Sequence, residues 1–251
     1  MKHIAAALIF FTRLPLGRLK TCATIPSGYF GKIIGYWTIT GWLTGGIMAG
    51  VLWLTARILP YEMAVVFAIT ARLLLTGALH EDGLADFLDG FGGGKDRESI
   101  LSIMKDSHIG TYGVIGLILY FLLLFLSLYH LPPHMACTAI LMADPFCKLI
   151  SSQIVLFLPY ARTVETAKSK VIYEKTDLKA QVLSLLFGLV PLFLLPTFKW
   201  LIIIFLPLTT GCLLLCVMKK KINGYTGDCC GALFLMCELS FLMGISLCYR
   251  F

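Results

Sequence analysis

Asp82, Asp86 and Asp89 recur at i, i+4 and i+7 in the stretch HEDGLADFLDGFGGGKDRESILSIMKDSHIGTYG, residues 80–113. If DGLADFLD is helical, as the spacing of Leu84, Phe87 and Leu88 permits, the three acids fall within an arc of roughly 60° on one face. Carboxylates held that close repel and raise one another's pKa unless a cation sits between them. Oxygen-only ligands of this kind suit a hard ion such as Mg2+, which keeps waters and completes its shell with phosphate oxygens. Asp82, Asp86 and Asp89 are therefore candidate metal ligands. Seven of the fourteen acidic residues fall between Glu81 and Asp106, a concentration that a solvated connector has no need of.

The residues around the acids extend the case. Gly90, Gly92, Gly93 and Gly94 let the backbone turn and come close to a ligand, and successive exposed amides form an anion-binding concavity. Lys95, Arg97 and Lys105 add positive charge beside it. The glycine spacing is not that of a Walker loop, and no Ser or Thr follows Lys95. Asp96, with Ser99 three residues on, reads as the N-cap of a following helix that lacks the usual Glu of a capping box. The alternating acids of an EF-hand are missing. His80 is read either as a donor to phosphate or as an interfacial helix residue. With Asp106 it joins the basic residues as a candidate substrate contact.

These residues must be positioned by an apolar framework. The chain has 251 residues, 58% hydrophobic and 14% charged, with a mean hydropathy of +0.86, well above an ordinary soluble domain. The expected class is an all-α, polytopic integral membrane protein. Apolar runs of about 20 residues lie near 33–55, 61–79, 111–129, 135–158, 182–196, 199–217 and 231–248, so about seven transmembrane helices are expected. Pro191 breaks a short run, leaving six or eight open. No internal repeat or linker divides the chain, which reads as a single membrane domain, 1–251.

The first twenty residues read as an interfacial amphipathic segment; they lack the long apolar region and cleavage site of a secretory signal. With the N-terminus inside, sixteen of the twenty-one Lys and Arg fall in the inner loops, only Arg57, Lys199 and Arg250 lie opposite, and Arg72 and Lys148 fall within spans. The positive-inside rule then puts the acidic stretch on the cytoplasmic side. The net charge of +7 reflects orientation and anionic membrane lipid; no basic-aromatic groove suggests nucleic acid. Nine cysteines show no CxxC pair or zinc spacing and read as small apolar fillers. Asp144 with Lys148, four apart, and Arg72 with Glu238 are expected to pair inside the membrane.

HEDGLADFLDGFGGG together with DRESILSIMKDSHIGTYGV closely resembles the signature of the cobalamin synthase family, the adenosylcobinamide-GDP ribazoletransferases. FFTRLP at 10–15 and GYTGDCCGA at 224–232 are similar to that family's first and last motifs. The chain departs from the pattern at Phe87, Leu88, His108, Lys148 and Thr163 to Glu165, which spares the aspartates. The resemblance implies an enzyme of the bacterial cytoplasmic (inner) membrane that joins adenosylcobinamide-GDP and α-ribazole, or its 5′-phosphate, with Mg2+ as cofactor and release of GMP. Such a displacement needs charge neutralisation, in-line positioning and a proton acceptor. Asp82 and Asp86 are then assigned to the metal and Asp89 to a third ligand or the base, with Lys95, Arg97 and Lys105 steadying phosphates. Arg13 and Asp228 lie on the same side; Asp228 completes the site or caps the last span. Implied partners are the two substrates, other late-pathway enzymes and a homo-oligomer. The alternatives are a CDP-alcohol phosphotransferase, whose motif DFLDG resembles, a UbiA-like prenyltransferase, and a transporter using Arg72, Asp144, Lys148 and Glu238.

Overall fold

A computed structural model describes residues 2–16, 26–162, 172–174 and 176–250. Among them the chain is helical, with one isolated parallel bridge between Tyr160 and Tyr225. Helix α1 (Lys2–Phe11) lies against the 3-10 stretch Ser27–Tyr36, which leads into α2 (Trp37–Thr55). Then follow α3 (Tyr61–Thr76), α4 (Leu79–Gly93), the short α5 (Arg97–Ile103), α6 (Thr111–Tyr129), α7 (Pro133–Ser152) and the single turn α8 (Ile154–Phe157). Helix α9 (Leu178–Leu189) runs on into 3-10 turns over Val190–Leu194, and α10 (Phe205–Ile222) and α11 (Gly227–Arg250) complete the bundle.

Helices form where the backbone can satisfy itself, because hydrocarbon offers no other partner. Among the described residues five segments are long and apolar enough to span a membrane: Gly28–Thr55, Thr111–Tyr129, Pro133–Phe157, Trp200–Ile222 and Gly227–Arg250. The bent pair of α3 and α4 raises the count to six. The expected polytopic membrane architecture is present; among the described residues the exact count of seven is not confirmed. One reason is that the run beginning at residue 61 breaks: Gly77 (φ 66°) and Ala78 (φ 55°) are both left-handed, so α4 leaves α3 at 90°. The other is that the run around Pro191 forms only the shorter apolar helix Leu178–Leu194.

Helix α11 is the axis of the bundle, packed on α4, α6, α7 and α10. Helix α7 lies along α2, where Gly41 and Gly45 offer no side chain. A Cβ at Gly41 would stand 2.7 Å from the Pro145 Cα, and one at Gly45 3.0 Å from the Asp144 Cβ. Close approach at small residues is how helices associate where lipid is as apolar as leucine. Ile118, Leu119 and Leu122 on α6 and Leu213 on α10 face outward, as lipid-facing side chains do.

Both expected intramembrane pairs are found. Arg72 meets Glu238 at 2.5 Å and donates to the Tyr120 hydroxyl at 3.0 Å, with Glu81 at 4.0 Å. Lys148 meets Asp144 at 2.5 Å, and the Thr44 hydroxyl accepts from Lys148 at 2.6 Å and donates to Asp144 at 2.8 Å. The eight described cysteines are free thiols; Cys22 lies outside the described residues.

Candidate active site

The elbow after α3 sets the position of the acidic helix. The Arg13 side chain lies across Gly77, whose missing Cβ would collide with the Arg13 Nε, and the Arg13 N–H donates to the Leu75 carbonyl at 2.7 Å. Arg13 thus clamps the bend and leaves the first turn of α4 pointing at the start of α11. There Gly83 allows backbone contact: a Cβ on it would stand 3.0 Å from both the Cα and the carbonyl oxygen of Asp228.

A cavity of about 240 Å³ opens at this junction. Leu79, His80 and Asp82 from α4, and Thr226, Gly227, Asp228, Cys230 and Gly231 around the start of α11, form one side. Phe10, Phe11, Trp37, Tyr160, Arg162 and Tyr173 form the rest. Asp82 and Asp228, 146 residues apart in sequence, therefore share one cavity, and Arg162 is the one Lys or Arg among the described residues that lines it. Two helix N-termini open on the space, an arrangement that favours anions. A neighbouring groove of about 610 Å³ also uses Tyr160 and Arg162 and carries Arg97 and Lys105.

The cap expected of Asp228 is made by its neighbour. The Cys229 N–H donates to the Thr226 hydroxyl oxygen at 3.3 Å, and the same hydroxyl lies 3.4 Å from the Asp228 Oδ2. Asp228 itself lines the cavity. Tyr160 is held beside the start of α11 by the isolated bridge to Tyr225, in which the Ala161 N–H donates to the Tyr225 carbonyl at 2.8 Å. Burial, and secondarily the Asp228 charge, push the Tyr160 phenol up to about 12, further from ionisation than an ordinary phenol, which is itself protonated at neutral pH.

The other predicted site residues do different work. Asp82, Asp86 and Asp89 do share helix α4, yet no group of three His, Cys, Asp or Glu among the described residues lies close enough to hold a metal ion. Asp89 accepts from the Gly110 N–H at 2.7 Å and the Gly113 N–H at 2.8 Å. It satisfies the free amides of α6, and the same two glycines leave room for its carboxylate. Asp86 is half-buried one turn beyond Asp82 and does not line the cavity. Gly90, Gly92 and Gly93 continue α4 rather than forming an open anion loop, and they seat Met104, Tyr112 and Ile103.

Arg97 braces the structure by donating to the carbonyls of Ile222 at 2.8 Å and Ala161 at 3.0 Å, since the last carbonyls of a helix otherwise lack partners. Asp96 caps α5 as expected, with Ser99 replacing the absent Glu in the reciprocal bond. Lys95 and Lys105 are exposed. Asp106 accepts from the His108 N–H at 3.0 Å and meets its ring at 2.7 Å; these bonds hold its carboxyl below the usual range. Of the predicted contacts, His80, Asp82 and Asp228 come together. Tyr160, Arg162 and Thr226 were missed although PYAR and GYTGD contain them, and Trp37 and Tyr173 carry no signal in the sequence that separates them from core aromatics.

Fold and site together define a polytopic helical membrane protein with an acidic, aromatic-walled cavity at one end of its bundle. The chain belongs to the cobalamin-5-phosphate synthase family, CobS, whose model matches residues 3–246. It is 35% identical over 236 residues to the adenosylcobinamide-GDP ribazoletransferase of Shewanella sp. (strain W3-18-1), covering 93% of this chain and 89% of that one. It is 36% identical over 229 residues to the protein of the same name from Shewanella frigidimarina, covering 90% and 87%. No solved structure matches.

Proposed function

We propose that this chain is an adenosylcobinamide-GDP ribazoletransferase of late cobalamin assembly. The reading rests on the meeting, in one cavity, of three stretches far apart in the matched chain: HEDG through Asp82, PYAR through Arg162, and TGD through Asp228. In the reaction a hydroxyl of α-ribazole, or of its 5′-phosphate, forms a new P–O bond to the phosphorus that carries cobinamide. The bond to the other phosphate breaks, GMP leaves with the electron pair, and the hydroxyl proton passes to an acceptor in the cavity.

The donor set fits Mg2+. This ion takes one or two protein carboxylates and completes its octahedron with waters and substrate phosphates, and two carboxylates on touching helix starts are what Asp82 and Asp228 provide. Magnesium supplies charge neutralisation on the diphosphate oxygens. Arg162 orients a phosphate oxygen, the α11 N-terminus faces developing negative charge, and the Tyr160 phenol, protonated at neutral pH as phenols are, donates. Arg97 and Lys105 line the adjoining groove, where they attract the nucleotide's second phosphate. The aromatic walls keep competing water from the phosphorus.

The site faces the cytoplasm of a bacterial inner membrane. The positive-inside pattern supports this, because Lys95, Arg97, Lys105, Arg162 and Lys219 to Lys221 cluster near the cavity end. Family membership disfavours the CDP-alcohol, UbiA-like and transporter readings. The test is GMP release by the detergent-purified chain. Release that requires adenosylcobinamide-GDP, α-ribazole and magnesium together supports the assignment; release that ignores α-ribazole contradicts it.

A further inference from the structure

The two substrates of the proposed reaction differ greatly in size, and the cavity discriminates between them. A corrin ring with its side chains does not enter about 240 Å³. A benzimidazole, the two-ring base of ribazole, does. Phe11 and Trp37, whose rings stack on one another at 5.1 Å and 15°, form one wall, and Tyr160 and Tyr173 stand among the others. Flat aromatic guests stack on such surfaces with a gain beyond the area they bury.

A second observation also points to a guest. Trp37 Nε1 and His80 Nε2 have no hydrogen-bond partner, although Trp37 is 1% and His80 3% exposed and both line the cavity. Buried polar nitrogens are normally satisfied. Trp37 offers a donor only, while a neutral imidazole offers either role. A benzimidazole nucleoside carries the complement, an unsubstituted ring nitrogen that accepts and ribose hydroxyls that do both. We infer that the cavity walled by Phe11, Trp37, His80 and Tyr173 is the binding site for the ribazole base, with Trp37 and His80 as its specificity-determining polar contacts. The corrinoid then stays outside, and only its diphosphate reaches Asp82, Arg162 and Asp228.

This inference rests on the transferase reading, but it is measured apart from turnover. Titration of α-ribazole alone into the purified full-length chain, without corrinoid or magnesium, reads binding by calorimetry and by Trp quenching. Trp37→Phe keeps the ring and removes the donor. The expected result is about tenfold weaker α-ribazole binding and an equal rise in KM for α-ribazole, with KM for adenosylcobinamide-GDP within about twofold of the parent. His80→Gln is the second variant, expected to weaken the same ligand. Unchanged α-ribazole affinity in both folded variants overturns the subsite, as does a loss confined to the corrinoid substrate. Absent GMP release with intact α-ribazole binding overturns the transferase reading and leaves the base site standing.

Discussion

Asp82 and Asp89 stand seven residues apart on one helix and have separate duties. Asp82 opens on the cavity with Asp228, whereas Asp89 holds two amides at the start of α6. Asp89→Ala is expected to lower stability by about 1–2 kcal/mol, the range for losing a cap; denaturant unfolding in detergent checks it, with the half-saturating magnesium concentration unchanged. The i, i+4, i+7 spacing correctly reads as a helix with three acids on it. Spacing cannot show what packs against the far end, and the amides that claim Asp89 come 21 and 24 residues later. Tyr160 yields a pH prediction. Its phenol has been raised to about 12, so it remains protonated below that pH. Tyr160→Phe should reduce turnover by a factor that is constant between about pH 6 and 9, and a pH-rate profile of both proteins tests this.

The elements are held by two devices, an elbow and buried charge. Gly77→Ala forces a Cβ into a left-handed position already occupied by the Arg13 side chain. The expected outcome is a loss of at least about 1 kcal/mol and lower activity, read from unfolding and turnover of the same preparation. Glu238→Leu leaves Arg72 without its 2.5 Å partner between α3 and α11, and uncompensated buried charge costs about 3–5 kcal/mol. Sharply reduced yield and thermal midpoint should follow, while Arg72→Met with Glu238→Leu recovers part of the loss. The partners were legible because a charge within an apolar run must be matched. The elbow was not, since Gly77 and Ala78 look like ordinary small residues in an apolar run and take left-handed dihedrals only under tertiary packing.

At the scale of the whole molecule, composition and apolar runs were enough to establish a polytopic helical membrane protein. The exact count of seven is not confirmed: among the described residues five helices are long and apolar enough, or six with the bent pair, and six is one of the counts that the apolar runs leave open. The cavity was only partly legible: Asp82, His80 and Asp228 lie in motifs, but Trp37 and Tyr173 join them solely through the fold. A cysteine placed at exposed Lys95 in a background free of accessible thiols should be labelled from the cytoplasmic face, and one at Arg57 from the opposite face. Labelling of both from one side contradicts the proposed orientation.

The central claim is that phosphoryl transfer takes place where α4 meets α11. The most direct measurement is the rate of GMP release by Asp82→Asn at saturating adenosylcobinamide-GDP, α-ribazole and magnesium, with its thermal midpoint recorded alongside. A drop of at least about a hundredfold in a protein that melts with the parent is the predicted result. Near-parental release from the folded variant would contradict the account and move the chemistry away from this cavity.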